Sequence, residues 1–259
     1  MIRLSCREGA ALAPLLKPFF SGGSHLPFAF LDGQMGEGWV DSRTAPRCCV
    51  VAVGDFCLLG GEPDRLDDPA LLKNPPAPLV IPLSAQWEQA FTACRPDALP
   101  ICRQQFEAPR ISEGKVSREI LARTSVPDGF SLAPLDARFF SFCRETPWAA
   151  DFCSQFSSPE DFAARGLGQL VLFQGTPVAG ASSYLIYRDG IEIQVETAPD
   201  FRRRGLATAA AASLMRRCFD RGLVPHWDAH NPPSAALAVK LGYTPGARYT
   251  AFLTDEILP

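Results

Sequence analysis

The loop between residues 198 and 208 carries the side chains whose chemistry is easiest to interpret. Three consecutive arginines, Arg202, Arg203 and Arg204, stand directly before Gly205. An arginine guanidinium can bind a phosphate through two parallel hydrogen bonds. A glycine leaves room for a ligand to approach the backbone. Together these residue types indicate a binding loop for a phosphate or diphosphate group.

The segments on either side support that interpretation. Residues 190–197 alternate apolar and polar side chains, which predicts a half-buried strand. Residues 206–221 repeat apolar side chains at helical spacing, which predicts an amphipathic helix closed by Gly222. The first amides of a helix have no partner within it and carry the positive end of its dipole. We therefore expect the loop to hold an anion against the first turn of this helix.

Two common phosphate loops do not fit the spacing. The P-loop requires Gly-Lys-Ser/Thr at its end, and the dinucleotide fingerprint requires three glycines. A solvated basic turn stays open as an interpretation of the arginines taken alone.

The loop resembles the coenzyme A loop of the GNAT acetyltransferase superfamily, Gln/Arg-x-x-Gly-x-Gly/Ala, here filled by Arg202, Gly205 and Ala207. The resemblance continues over residues 224–243, which are similar to the family's fifth strand, its Asn-x-x-Ser/Ala helix start and its closing Leu-Gly-Phe/Tyr. It implies acetyl-CoA as a cosubstrate. The residues that it implies for coenzyme binding are Val195, Glu196, Thr197, Arg202, Arg203, Arg204, Gly205, Leu206, Ala207, Thr208, Asn231 and Ser234.

The predicted strand before the loop offers candidates for acid–base chemistry. An ammonium group has no lone pair, so an amine must lose a proton before it attacks a thioester, and a carboxylate can accept that proton directly or through water. Glu192 and Glu196 share one strand face by the two-residue period. We favour Glu192, because bases in the family often lie at this distance before the phosphate loop. The simpler alternative is that both are solvated or helix-facing strand residues.

The departing thiolate raises a second question. The superfamily frequently carries a tyrosine proton donor where this chain has Ala238, which has no proton to donate. Tyr243 is our candidate replacement, and Tyr249 and water are alternative donors. Two further alternatives are that the thiolate leaves without a donor and that catalysis has been lost.

A metal site is not expected. His226, Asp228 and His230 share one strand face, but alternate strand residues lie roughly 6.5 to 7 Å apart, too far for all three to reach one ion without a bulge.

Composition narrows the class of protein. Hydrophobic residues make up 47% and charged residues 20%, which is typical of a globular chain and excludes disordered and fibrous classes. A net charge of −3 argues against nucleic-acid binding. The chain has nine cysteines, an odd number, with no Cys-x-x-Cys pair and no secretory signal, which favours free thiols in the cytoplasm. The apolar run near the N-terminus is too short for a membrane anchor.

The expected fold class is α/β, with an α+β mixed sheet. Proline and glycine clusters divide the chain into an α/β domain at 1–105, a linker at 106–127 and a GNAT domain at 128–259. The N-terminal domain is compatible with a degenerate copy of the same fold that lacks its phosphate loop.

The expected function is direct transfer of an acetyl group from acetyl-CoA to an amine, with a small-molecule acceptor favoured. The layout also resembles a two-part bacterial GNAT subfamily that includes aminopolyol-antibiotic resistance enzymes. The alternative is a non-catalytic coenzyme A sensor. Neither nucleic acid nor membrane is expected as a partner, and a monomer and a homodimer are both compatible with the sequence.

Overall fold

The computed structural model describes residues 1–21, 24–109 and 124–254. The chain forms two compact units. The N-terminal unit contains Met1–Gln105 together with the chain from Gly246 onward, and the C-terminal unit contains Phe106–Pro245.

The N-terminal unit begins with a strand, a 3-10 turn at Cys6–Leu12 and two helices, and then forms most of its sheet. Its strands are β1 (Ile2–Ser5), β2 (Glu37–Val40), β3 (Cys48–Val53), β4 (Phe56–Gly61), β5 (Leu79–Pro82) and β6 (Leu99–Glu107), and its helices are α1 (Ala13–Ser21), α2 (Phe28–Leu31), α3 (Ala70–Lys73) and α4 (Ala85–Cys94).

Strands β1 to β4 pair antiparallel in sequence order, and β5 runs parallel to β4. The last strand of the chain, β12 (Thr244–Leu253), lies between β5 and β6. It pairs antiparallel with β5, with Phe252 opposite Val80. Phe252 packs in the core of this unit, with its ring centroid 5.6 Å from that of Phe91.

The C-terminal unit has the strands β7 (Phe130–Pro134), β8 (Gly168–Phe173), β9 (Thr176–Ile186), β10 (Gly190–Thr197) and β11 (Val224–Ala229). Its helices are α5 (Ala137–Glu145), α6 (Pro159–Arg165), α7 (Leu206–Asp220) and α8 (Pro232–Lys240), with a 3-10 segment at Pro147–Phe152.

The sheet of this unit has the order β7-β8-β9-β10-β11. Strands β7 to β10 are antiparallel neighbours, and β11 runs parallel to β10. Helix α7 buries four consecutive alanines, Ala209, Ala210, Ala211 and Ala212, and contacts β8, β9 and β10. Such small side chains let a helix approach a sheet closely.

The two units repeat one order of elements. Each has four strands paired antiparallel in sequence order, and in each a helix precedes a fifth strand that runs parallel to the fourth. This agrees with the expected α/β mixed-sheet fold and with a second copy in the N-terminal half.

Most predicted helices and strands are present, with changed limits. The predicted helix at 206–221 is α7, and Gly222 after it has a φ of +70°. Helix α6 ends at Arg165, and Gly168 already pairs in β8. The chain after α8 forms one continuous strand, β12, from Thr244 to Leu253. Residues 110–123 of the predicted linker lie outside the described residues, and the domain limits 1–105, 106–127 and 128–259 stay a prediction.

The place of β12 predicts how a mutation near the end of the chain affects stability. Replacing Phe252 by alanine removes a ring from the N-terminal core, and we expect the free energy of unfolding to fall by about 3 kcal/mol. Chemical denaturation measures this change. Leu99→Ala in β6 is the control, because Leu99 is 59% exposed and should cost far less. Equal losses in the two variants would contradict the packing of β12 in this core.

Candidate functional site

The N-terminus of α7 differs in its capping from the starts of α4, α5, α6 and α8. Side-chain oxygens accept a hydrogen bond from a first-turn amide in α4, α5, α6 and α8, where the caps are Ser84, Asp136, Ser158 and Asn231. Helix α7 starts at Gly205, which has no side chain, and no side chain caps its first turn. That turn contains no acidic residue either. Its amides and the positive end of the helix dipole are therefore available to an anion.

The backbone of the loop is shaped for such a ligand. Arg203 has a φ of +66° and Gly205 a φ of +80°, both in the left-handed region. Left-handed residues in a turn can direct successive amides into one concave surface that binds anions. A Cβ atom built on Gly205 would meet no atom within 4 Å, so the space beside the loop is open.

Two of the arginines are held in place by their neighbours. The Arg202 Nε donates to the Thr197 carbonyl oxygen at 3.3 Å, and its guanidinium lies 3.5 Å from the Glu196 carboxylate. The Arg204 guanidinium donates to the Asp200 carbonyl oxygen at 3.1 Å and covers the Phe201 ring at 5.1 Å. These contacts position two cationic side chains at the loop, as a diphosphate site requires.

Strands β10 and β11 separate next to the loop. Their parallel pairing joins Gly190–Glu192 to Val224–His226 and goes no further in the described strands. On its other edge β10 stays paired with β9 as far as Thr197. The backbone of β10 from Ile193 to Thr197 therefore has one edge open toward a ligand, immediately before the arginine loop.

Ten of the implied coenzyme residues lie in one continuous stretch of the chain, from the end of β10 to the first turn of α7. Val195, Glu196 and Thr197 end β10, the three arginines and Gly205 form the loop, and Leu206, Ala207 and Thr208 form the first turn of α7. The Leu206 side chain is buried, so its contribution would come from the backbone.

The two glutamates of β10 have different surroundings. Glu192 is only 6% exposed, and its Oε2 accepts a hydrogen bond from the Tyr187 hydroxyl at 2.8 Å. Glu196 is partly exposed, accepts from the Thr197 amide at 2.9 Å and faces Arg202. Glu192 is therefore sequestered inside the unit, whereas Glu196 belongs to the loop's ion pair.

Tyr243 is engaged with the backbone. Its hydroxyl donates to the Pro225 carbonyl oxygen at 2.8 Å, and its ring packs edge-on against Trp227 at 5.4 Å. Burial raises the pKa of the Tyr243 hydroxyl well above its usual range. The hydroxyl would have to leave Pro225 before it could protonate a thiolate. Ala238 is fully buried in α8.

Asn231 and Ser234 hold the turn between β11 and α8. The Asn231 Oδ1 accepts from the Ser234 amide at 2.8 Å, and its Nδ2 lies 2.8 Å from the His230 Nε2. The Ser234 hydroxyl accepts from the Trp227 indole at 3.1 Å. Among the described residues, no group of histidine, cysteine, aspartate or glutamate side chains has the arrangement of a metal site.

Two contributions to the site were absent from our sequence interpretation. The Tyr187 hydroxyl reaches Glu192 across the β9–β10 hairpin, and Phe201 supports Arg204. The only available sequence signal was proximity, since Tyr187 lies five residues before Glu192 and Phe201 three before Arg204.

The equivalent place in the N-terminal unit lacks these features. Strand β4 pairs with β5 over Phe56 to Leu59, and the Leu83 amide continues the pairing to the Leu59 carbonyl oxygen. The helix that follows, α3, has four residues. The connection before it carries the acidic residues Glu62, Asp64, Asp67 and Asp68. A closed strand pair and an acidic connection do not suit a diphosphate.

The sequence matches the model of one protein family, GNAT acetyltransferase, over residues 17–252. The chain therefore belongs to the GNAT acetyltransferase family. A curated relative, the uncharacterized N-acetyltransferase YdfB of Bacillus subtilis (strain 168), is 29% identical over 130 residues. The alignment covers 49% of each protein, so the chain spans about half the length of this relative.

Solved structures agree with the two-part fold. A GCN5-related N-acetyltransferase-like protein from Streptococcus suis 89/1591 is 28% identical with a TM-score of 0.82, and the match covers 97% of this chain and 100% of that one. A tandem GNAT protein from the clavulanic acid biosynthesis pathway has a TM-score of 0.57 at 14% identity, covering 96% of this chain and 94% of that one. These likenesses confirm the predicted fold class, with GNAT-like units in both halves.

Within the described residues, no helix is long and apolar enough to cross a bilayer.

The open space beside Gly205 predicts a mutation that separates binding from folding. Gly205→Ala adds a Cβ to a left-handed residue, which costs about 1–2 kcal/mol and places a methyl group at the loop. We expect acetyl-CoA to bind about tenfold more weakly in calorimetric titration.

Gly222→Ala is the matched control, because Gly222 also has a positive φ and open space but follows the opposite end of α7. It should lose similar stability and keep the parental affinity. Equal affinity in the two variants would argue against a ligand at Gly205.

Proposed function

We propose that the chain transfers an acetyl group from acetyl-CoA directly to an amine of a small molecule. One observation carries the proposal: the uncapped, glycine-started N-terminus of α7 lies directly after a strand that has separated from its parallel neighbour. An anion site beside an open strand edge suits a ligand with a diphosphate at one end and an amide-containing arm.

Different parts of the C-terminal unit would contact different parts of the coenzyme. The amides of Leu206, Ala207 and Thr208 would hold the diphosphate, with Arg202, Arg203 and Arg204 supplying positive charge. The open edge of β10 would pair with the amides of the pantetheine arm. When bound, acetyl-CoA supplies the activated acyl group that an amine attacks.

Glu192 is the proposed proton acceptor. It lies on β10 at the last residue before the strands separate, and a carboxylate there can take the proton of an approaching ammonium directly or through water. Glu196 is less suited to the role because it faces Arg202. Its proposed contribution is to hold that arginine at the loop.

The burial of the cysteines in the C-terminal unit supports direct transfer. Cys143, Cys153 and Cys218 of the C-terminal unit are all buried. Burial raises the pKa of the Cys218 thiol to about 12, so it is a poor nucleophile at neutral pH. Cys218 is therefore a weak candidate for a covalent intermediate.

The acceptor we propose is a cationic small molecule. Glu192 and Glu196 lie on β10, and Asp228 lies on β11 across the separation between the strands. His226 is the register partner of Glu192 in the β10–β11 pair. Residues two apart on a strand point to the same face, so Asp228 lies on the same sheet face as Glu192. Carboxylates on both strands beside the gap, above all Glu192 and Asp228, would attract an ammonium group.

A pair of isosteric variants tests the assignment. We expect Glu192→Gln to lower kcat at least 100-fold while the acetyl-CoA affinity stays unchanged, because only the proton acceptor is lost. Glu196→Gln should instead raise the KM for acetyl-CoA through the loss of its contact with Arg202. The measurement is thiol release with a panel of small amines.

Two results would contradict the proposal. Parental kcat in Glu192→Gln would remove the proposed base. Tight binding of acetyl-CoA with no turnover on any amine would favour the non-catalytic coenzyme A module.

A further inference from the structure

This inference rests on the proposed function of Glu192. We infer that Tyr187 is a positioning residue that orients the Glu192 carboxylate and keeps it ionised, and that His226 and Gly190 in turn hold Tyr187. Tyr187 directly follows β9, Gly190 and Glu192 lie in β10, and His226 lies in β11.

The central contact is a hydrogen bond between two buried groups. The Tyr187 hydroxyl donates to the Glu192 Oε2 at 2.8 Å, and the two residues are 5% and 6% exposed. A hydrogen bond to an ionised group is stronger than one between neutral groups, and burial increases its strength. The hydroxyl therefore fixes the direction of the carboxylate and favours its charged form.

The backbone places Tyr187 for this contact. Strand β9 ends at Ile186, and the Tyr187 amide donates to the Gly190 carbonyl oxygen at 2.8 Å to close the hairpin. The β9–β10 register shifts between Glu192 and Ile193, where β9 carries one extra residue, Tyr184. Such a bulge turns the side chains beside it, and bulges are frequent next to active sites.

His226 supports the tyrosine ring from the neighbouring strand. Its ring centroid lies 5.6 Å from that of Tyr187 at an interplanar angle of 58°, and its backbone is in register with Glu192. Gly190 makes this packing possible. A Cβ atom on Gly190 would lie 2.4 Å from the Val224 carbonyl oxygen and 3.1 Å from the His226 ring. The absence of a side chain at 190 thus lets the histidine ring lie beside the hairpin.

The titratable groups known to face Glu192 come from different elements. Tyr187 follows β9, His226 belongs to β11, and Tyr243 precedes β12 and interacts electrostatically with Glu192. Tyr243 donates its proton to Pro225. The Tyr187 hydroxyl instead donates to the Glu192 carboxylate at 2.8 Å, which stabilises its charged form.

The test is the pH dependence of kcat/KM in Tyr187→Phe. Loss of the hydroxyl makes the ionised carboxylate less favourable, so we expect the acidic limb of the profile to move to higher pH by about one unit. Activity should fall about tenfold below that limb and approach the parental value above it. The acetyl-CoA affinity and the melting temperature should stay near the parental values. A merely structural role would lower activity by the same factor at every pH.

Control variants separate this inference from its alternatives. Tyr249→Phe makes the same chemical change in the N-terminal unit, where the hydroxyl contacts Arg103, and should keep the parental profile. His226→Phe keeps a ring against Tyr187 without a titratable nitrogen and should keep the limb in place. A shift of the limb in His226→Phe, with none in Tyr187→Phe, would assign the titration to the histidine and overturn the inference.

Glu192→Gln, measured in parallel, tests the proposed base separately from the positioning role of Tyr187. If it abolishes turnover while Tyr187→Phe keeps the parental profile, only the positioning role of Tyr187 is overturned. If Glu192→Gln retains turnover, Glu192 is not the base, and the inferred role of Tyr187 is contradicted as well.

Discussion

The amides at the start of α7 receive no acceptor from a capping side chain, and the arrangement of the C-terminal unit depends on that feature. An unsatisfied helix start is unfavourable unless water or a ligand completes it. Here the packing compensates elsewhere: four consecutive alanines bury one side of the helix against the sheet. The helix is therefore held by its middle, while its first turn stays available beside the open edge of β10. The middle of α7 thus packs against the sheet, and its first turn is the proposed binding site.

The two halves of the chain show how one fold can retain or lose this site. Both have the same order of strands and a parallel pair at the place where the site would form. In the N-terminal half that pair continues through backbone hydrogen bonds, and the connection after β4 has four acidic residues and one arginine, Arg65. That unit instead takes up β12, whose Phe252 completes its core. Its connection after β4 carries four acidic residues, so we expect it to disfavour a diphosphate.

The sequence was informative where chemistry and local periodicity coincide. The arginine loop, the alternating strand before it and the amphipathic helix after it are contiguous. Residues 190–221 alone therefore predict an anion site, and the structure confirms the strand and the helix on either side of it. The contact of Tyr187 with Glu192 could not, because it depends on the hairpin closure and on the extra residue in β9. The position of β12 between β5 and β6 could not either, because pairing between distant segments leaves no trace in local alternation. Likewise, a tyrosine at 243 suggests a proton donor, whereas only its geometry reveals the hydrogen bond to Pro225.

The central claim is that the C-terminal copy alone binds the coenzyme, at the start of α7. Hydrogen–deuterium exchange with and without acetyl-CoA tests it most directly, because the amides in question are the proposed ligands and exchange readily when no acceptor protects them. We predict slower exchange in peptides that cover 193–208, and no change in peptides that cover 56–70 of the N-terminal unit. Protection of 56–70 without protection of 193–208 would contradict the account.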